Sequence, residues 1–284
     1  MGKIIYGSEI AAEIRAELKQ KTDAWNEQGY RRPHLSVILA GDNPASLSYV
    51  KGKEKACDNA GIEWTLHHLA EDTTQEELEA VIRECNENEN TDGILLQLPL
   101  PEGLDENSAI DTIDPVKDVD GLTLISTGLL HTGREGFVPC TPKGVMTLLE
   151  RMDCPVTGMR AVVLGRSRLV GAPVARLLQN HNATVTVCHS RTPDLKAVCQ
   201  EADILVAAIG HAEMIDASYI KEGAYVVDVG INRREDGKLV GDVNTEDCLP
   251  KVTAITPVPK GAGPMTICSL LENTVLAYRK RFGL

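Results

Sequence analysis

Four polar residues in the first half of the chain have types and spacings suited to proton transfer. Tyr49 and Lys53 stand in "SLSYVKGKEKAC", where a four-residue spacing puts both side chains on one helix face. Gln97 interrupts the apolar run "DGILLQLPLP", and Asp120 ends "KDVD" just before a glycine. A lysine accepts a proton only when neutral, so such a role needs its pKa to fall well below about 10.4. Burial and a nearby cation both push it down. A glutamine can hold the amine without adding charge, and a carboxylate can accept a fork of two hydrogen bonds. Each residue also has a plainer reading. Tyr and Lys are common on solvated helices, Gln97 can satisfy a buried backbone group, and Asp120 can cap a turn.

The elements that must position these residues follow from the apolar pattern. Ser8 can cap a helix carrying Ile10, Ile14, Leu18 and Trp25, which ends near Gly29. "LSVILAG" (35–41) reads as a buried strand, residues 46–59 as a helix, and "EWTLHHL" (63–69) as a strand. Thr73 with Glu76 matches a capping box opening a helix to about Asn88, and residues 92–101 form a strand ending in prolines. Near-continuous apolar strands alternating with helices imply a parallel sheet covered on both faces. Ligands of such sheets bind outside the carboxyl ends of the strands, where Gln97 falls.

After a loop-rich passage and a helix near 142–151, the rhythm restarts with strands at 160–165, 183–189, 202–210 and 224–230. Helices are expected at 170–179 and 193–201, and "NRREDGKLVGDV" reads as a hairpin. In "VVLGRSRLVGAP", Gly165, Ser167 and Gly171 lie between a strand and a helix, a turn that can present backbone N–H groups to a pyrophosphate. The usual G-x-G-x-x-G is altered, since Ser167 replaces its second glycine and the third is displaced. The next strand ends in "CHSRT" without the carboxylate that usually accepts ribose hydroxyls. His189, Ser190 and Arg191, with Arg166 in the first turn, would instead attract a 2′-phosphate, so NADP is expected over NAD. A solvated turn that happens to be basic is the plainer alternative.

The expected fold is α/β with two lobes, an N-terminal domain with a parallel sheet and a Rossmann-like NADP-binding domain. The boundaries are 1–140 and 141–264, with the C-terminal helix, 265–284, returning to the first lobe. A chain of 284 residues supports one large or two ordinary domains. Its formal charge of −12 argues against nucleic acid or an anionic membrane as partner. Eight cysteines without a C-x-x-C pair point to reduced, buried thiols rather than disulfides or a metal site. No targeting segment and no run of about 18 apolar residues is visible, so a soluble cytoplasmic protein is expected.

Taken in order, "GDNPASLSYVKGKEKAC", "QLPLP", "IDPVKDVDGL", "PCTPKGV", "GRSRLVGAPVARLL", "CHSRT" and "GAGPMT" resemble the bifunctional methylenetetrahydrofolate dehydrogenase/methenyltetrahydrofolate cyclohydrolases. The resemblance implies oxidation of methylenetetrahydrofolate by NADP⁺ and hydrolysis of the methenyl product to formyltetrahydrofolate, in one-carbon metabolism and purine biosynthesis. It implies catalytic roles for Lys53, Tyr49, Gln97 and Asp120, the last three also touching folate. It further implies NADP contacts at Gly165, Arg166, Ser167, Ser190 and Arg191, with a backbone contact at Ile231. Gly263, Pro264 and Thr266 would lie beside the folate, and a homodimer is the expected assembly. Two departures from the family pattern stand out: Lys260 replaces a glycine in "PKGAGPMT", and "LTLIS" (122–126) follows the aspartate motif.

Three rivals are weaker. Short-chain dehydrogenases carry Tyr-x-x-x-Lys after the glycine turn, whereas here the pair precedes Gly165 by more than a hundred residues. A shikimate-dehydrogenase-like enzyme would also place a lysine in its first lobe, but the ordered motifs weigh against it. A non-catalytic NADP-binding regulator would not need all four polar residues.

Overall fold

Apolar runs bounded by turn residues become strands, and the charged stretches between them become helices. The computed structural model describes residues 2–284, without the side chain of Ala45. It begins with β1 (Lys3–Ile4), α1 (Gly7–Glu27), β2 (His34–Ala40), α2 (Pro44–Ala60) and β3 (Glu63–Leu69). Next come α3 (Gln75–Glu87), β4 (Gly93–Leu96), α4 (Glu106–Thr112), α5 (Leu124–Thr132) and α6 (Cys140–Arg151). The second series is β5 (Arg160–Leu164), α7 (Gly171–Asn180), β6 (Thr184–Cys188), α8 (Leu195–Cys199), β7 (Ile204–Ala207) and β8 (Tyr225–Asp228). The chain closes with β9 (Asn232–Arg233), β10 (Leu239–Val240), α9 (Thr245–Cys248), β11 (Ala254–Ile255) and α10 (Ala262–Phe282).

Two compact units result. Ala12–Cys140 groups with Ile267–Leu284, and the stretch to Ala11 groups with Thr141–Thr266. The break between residues 140 and 141 falls where the sequence reading put it, but residues 2–11 belong with the later half of the chain rather than with the first domain. The cause is β1, which pairs in parallel with β11. A two-residue strand is too short to show a hydrophobic period.

The unit around residues 12–140 holds a parallel sheet in the order β3–β2–β4. Central β2 is buried from Leu35 to Ala40, while edge β3 carries partly exposed residues along its length. Helix α3 turns Leu78, Ile82 and Cys85 inward onto Ile38 and Ile94. Its capping box is formed one residue later than expected, by Thr74 and Glu77. The repeated Thr-x-x-Glu spacing fits both pairs, and only the second immediately precedes the helix. The returning part of α10 docks here through the Tyr278 hydroxyl, which donates to Arg31 O at 2.5 Å, and through Trp25, 5.6 Å from the Tyr278 ring. Helices α4 and α5 escaped the sequence reading because they are short, and Leu124 and Ile125 of α5 point outward.

The other unit holds a six-stranded sheet in the order β1–β11–β8–β7–β5–β6, with every pairing parallel. Its core includes Val162, Leu164, Leu205 and Val226. The expected hairpin forms from β9 and β10, which pair antiparallel around Asp236–Gly237. Lys260, in place of a glycine, adopts φ +83°. A side chain in that left-handed region is disfavoured by roughly 1–2 kcal/mol. The loop is retained because the Lys260 carbonyl accepts the Ser8 N–H at 3.0 Å. Lys260→Gly should therefore raise unfolding stability by about 1 kcal/mol in urea denaturation, after allowing for glycine's greater unfolded-state freedom.

Candidate active site

Lys53 lies on α2, and its Nζ donates to Gln97 Oε1 at 2.6 Å. Gln97 sits one residue past β4, where its own N–H still donates to Ile38 O at 2.8 Å and extends the ladder. Its side-chain Nε2 donates to Leu98 O at 2.6 Å, which turns the amide oxygen toward the lysine. Burial pushes the Lys53 pKa down, while Asp120 and then the Cys140 and Cys57 thiols oppose the shift. Burial also pushes the Asp120 carboxyl up, against the pull of Lys53 and a hydrogen bond from Cys140. Lys53, Gln97 and Asp120 are thus gathered into one site of low polarity. Tyr49 lies one turn earlier on α2, with 50 % of its surface exposed.

The loop carrying Asp120 is pinned from three sides. Lys117 donates to the carbonyls of Cys85, Asn86 and Asn88 at 3.0, 2.6 and 2.9 Å, fastening the loop to the end of α3. Asp118 accepts the N–H groups of Leu122 and Thr123 at 3.1 and 2.9 Å. Asn273 of α10 donates to Val119 O at 2.8 Å and Val138 O at 3.1 Å. The departing segment "LTLIS" is accommodated because Thr123 caps α5, accepting from Ser126 N. Sequence reasoning missed Lys117, Asp118, Cys140 and Asn273. None of the four stands out by pattern, and Asn273 is flanked by the polar Glu272 and Thr274.

In the second unit the strands β8, β7, β5 and β6 lie side by side. Gly165 has φ +107°, and a Cβ there would lie 2.2 Å from Ala208 O, so only glycine fits the turn. Ser167 closes the turn itself, its Oγ accepting Val170 N–H at 3.2 Å and Gly171 N–H at 3.4 Å. At the end of β6, Thr192 donates its N–H to His189 O at 2.9 Å, and Arg191 donates its N–H to His189 Nδ1 at 3.1 Å. The imidazole is thereby engaged in the turn, leaving Ser190 and Arg191 exposed beside it, and Arg166 is exposed on the first turn. Ile231 is 51 % exposed and lies near Gly263. Gly263 and Pro264 open α10, while Thr266 hydrogen-bonds Thr141 at 2.9 Å. A glycine-tight turn, free guanidinium groups and no carboxylate at the end of β6 fit a phosphorylated dinucleotide.

Two family models match this chain. Residues 5–120 fit the catalytic domain of tetrahydrofolate dehydrogenase/cyclohydrolase, and residues 139–282 fit its NAD(P)-binding domain. The chain belongs to the tetrahydrofolate dehydrogenase/cyclohydrolase family. Among its relatives, the "Bifunctional protein FolD" of Oleidesulfovibrio alaskensis is 53% identical over 284 residues, covering 99% of each chain. The crystal structure of the bifunctional FolD dehydrogenase/cyclohydrolase from Campylobacter jejuni superposes with a TM-score of 0.97 at 46% identity, over 99% of this chain and 100% of that one. The dehydrogenase-cyclohydrolase of Trypanosoma brucei, solved with NADP cofactor and an inhibitor, gives a TM-score of 0.94 at 39% identity, over 100% and 99% of the two chains.

Within this family member, the neutral oxygen that Gln97 offers to Lys53 sets the charge balance. Gln97→Glu would replace that oxygen with a carboxylate at the same 2.6 Å contact. The Lys53 pKa should then rise by about 1–3 units, as read by NMR titration of labelled lysine.

Proposed function

We propose that this family member oxidises methylenetetrahydrofolate with NADP⁺ and hydrolyses the methenyl product to formyltetrahydrofolate. The observation that carries the proposal is the half-buried Lys53–Gln97 contact beside Asp120. Its partner feature is the carboxylate-free turn with Arg166, Ser190 and Arg191 in the other unit. Asp120 would accept a fork of hydrogen bonds from the pterin's amino and ring N–H groups. Tyr49 would pack along the pterin from the same helix as Lys53. Gly263, Pro264 and Thr266 would border the folate.

When bound, NADP⁺ supplies the hydride acceptor. Loss of hydride from the methylene carbon leaves a cation already stabilised by two nitrogens, so the residues here mainly position the substrate. Hydrolysis asks more of them. As water oxygen bonds to the cationic carbon, the neutral Lys53 amine takes a proton from that water. Lys53 then returns the proton to the ring nitrogen whose bond to the carbon breaks, and the hydroxyl proton leaves to solvent. The products are the formyl group and one released proton. Gln97 keeps the amine aimed throughout. The cationic substrate lowers the lysine pKa further, so bound substrate favours the form that accepts the proton.

Gly165 and Ser167 would hold the pyrophosphate side of NADP, with Arg166, Ser190 and Arg191 on the 2′-phosphate and the Ile231 backbone at the other end. The residues about 12–140 with the C-terminal helix would form the folate-binding catalytic domain, and 141–264 the NADP-binding domain. The same reading makes the enzyme a cytoplasmic homodimer whose formyl product feeds purine biosynthesis. A net charge of −12 agrees with a small-molecule substrate rather than nucleic acid. No helix among the described residues is long and apolar enough to cross a membrane.

Two tests follow. Lys53→Met should lower hydrolysis of methenyl substrate by at least 100-fold, the usual range for a lost acid–base group, while NADP⁺ affinity stays within about twofold. Undiminished hydrolysis would sink the role. Arg166→Ala combined with Ser190→Ala should cut the ratio of kcat/KM for NADP⁺ over NAD⁺ by about tenfold or more, since each lost charge-assisted bond is worth about 1.5–3 kcal/mol. An unchanged ratio would rule out this 2′-phosphate site.

A further inference from the structure

Two fully buried carboxylates at the strand ends of the second unit take no part in the chemistry above. Asp242 Oδ2 accepts the N–H groups of Ile209 at 2.7 Å and Gly210 at 3.1 Å. Its Oδ1 accepts the His211 N–H at 2.8 Å and the Asn232 side-chain amide at 2.9 Å. One carboxylate therefore gathers three successive backbone donors after β7 and one side chain just after β8. Asp228, the last residue of β8, holds this group in place from behind. Its Oδ1 accepts Gly230 N–H at 3.0 Å and Asp242 N–H at 3.1 Å, and its Oδ2 accepts Val243 N–H at 2.8 Å. The packing is tight, since a Cβ on Gly230 would lie 2.2 Å from Asp242 Cγ.

The loops so fixed are those a dinucleotide must meet. The strand order runs β8–β7–β5–β6. On the reading that the 2′-phosphate lies at the end of β6 and the pyrophosphate at the Gly165 turn after β5, the remaining half of the cofactor extends over β7 and β8. Ala208 O already approaches the Gly165 turn, so displacement of the 208–211 loop would disturb the pyrophosphate turn as well. Asn232 directly follows Ile231, whose exposed position would border the nicotinamide. Hydrogen bonds to a charged acceptor are worth about twice neutral ones, which suits a group that must hold loops still without touching the ligand.

We infer that Asp242 is a positioning residue for NADP, fixing the 209–211 loop and, through Asn232, the segment carrying Ile231. The inference rests on the assignment of the nucleotide to this strand edge. Asp242→Asn keeps the size of the side chain and removes one acceptor oxygen. Asn232→Ala removes a single tether on a partly exposed segment.

The test measures KM for NADP⁺ and for methylenetetrahydrofolate in both variants, with thermal unfolding to follow the fold. Asp242→Asn should raise KM for NADP⁺ about tenfold and Asn232→Ala about threefold, while KM for the folate stays within about twofold. The NADP⁺ over NAD⁺ ratio should hold, because the 2′-phosphate end is untouched. A purely structural role would instead lower kcat through a smaller active fraction and leave both KM values in place, and that result overturns the inference. So does an unchanged KM for NADP⁺ in Asn232→Ala, which decides the matter if Asp242→Asn does not fold. The variant with Arg166→Ala and Ser190→Ala separates the two levels. If it raises KM for NADP⁺ and the Asp242 and Asn232 changes do not, positioning fails and the site stands. If it too leaves KM for NADP⁺ unchanged, the assignment of the site falls and the inference with it.

Discussion

The ammonium of Lys53, held against the neutral amide oxygen of Gln97, is the constraint on which the rest of the catalytic unit depends. Moving a charged amine out of water costs several kcal/mol, and a carboxylate partner would repay that cost by fixing the proton on nitrogen. An amide does not repay it in full. The amine is left able to lose its proton, which is the property that hydrolysis of a cationic substrate needs. Asp120 is close enough to oppose the fall in the lysine pKa, yet burial outweighs it. In the proposed mechanism Gln97 would supply orientation and Asp120 a recognising carboxylate, with the proton exchangeable on Lys53.

That arrangement explains why so many polar side chains nearby serve the backbone. Lys117, Asp118 and Asn273 all hydrogen-bond to main-chain groups around the Asp120 loop. A site built from one helix, one strand end and one loop is only as precise as the loop, and three anchors make this loop behave like an ordered element. The second unit uses the same device in a different form. There Ser167 closes the glycine turn, His189 closes the turn at the end of β6, and Asp228 with Asp242 gathers the loops after β7 and β8. Burial pushes the Asp228 carboxyl up to about 7, against three backbone N–H bonds that lower it. Beside these internally satisfied turns Arg166, Ser190 and Arg191 are exposed, and in the proposed reading they would meet a ligand's phosphate.

Much of this was legible in the sequence, for identifiable reasons. The long strands and helices announced themselves because each carries enough residues to show its period, as β2, α3 and β5 do. The Tyr49–Lys53 spacing put both residues on α2, and the polar break in an apolar run marked Gln97 at a strand end. Features shorter than a period were invisible, which hid β1 and with it the affiliation of the first eleven residues. A doubled Thr-x-x-Glu left the start of α3 uncertain by one residue, and three-dimensional context selected Thr74. Lys260 was visible as a departure, but only the backbone shows that it occupies φ +83° all the same. Asn273 and Asp242 could not be found by spacing, since their partners lie far off in the chain, as Val119 does from Asn273.

The central claim is that the reacting form of Lys53 is the neutral amine, and the pH dependence of kcat/KM for hydrolysis of methenyl substrate tests it most directly. A group with a lowered pKa is neutral above that value and is lost as a base when the pH falls through it. The account predicts a single ascending limb whose midpoint lies below the ordinary lysine value of about 10.4 and coincides with the midpoint of Lys53 titrated by NMR in the same protein. A rate that stays flat across the Lys53 midpoint would contradict it.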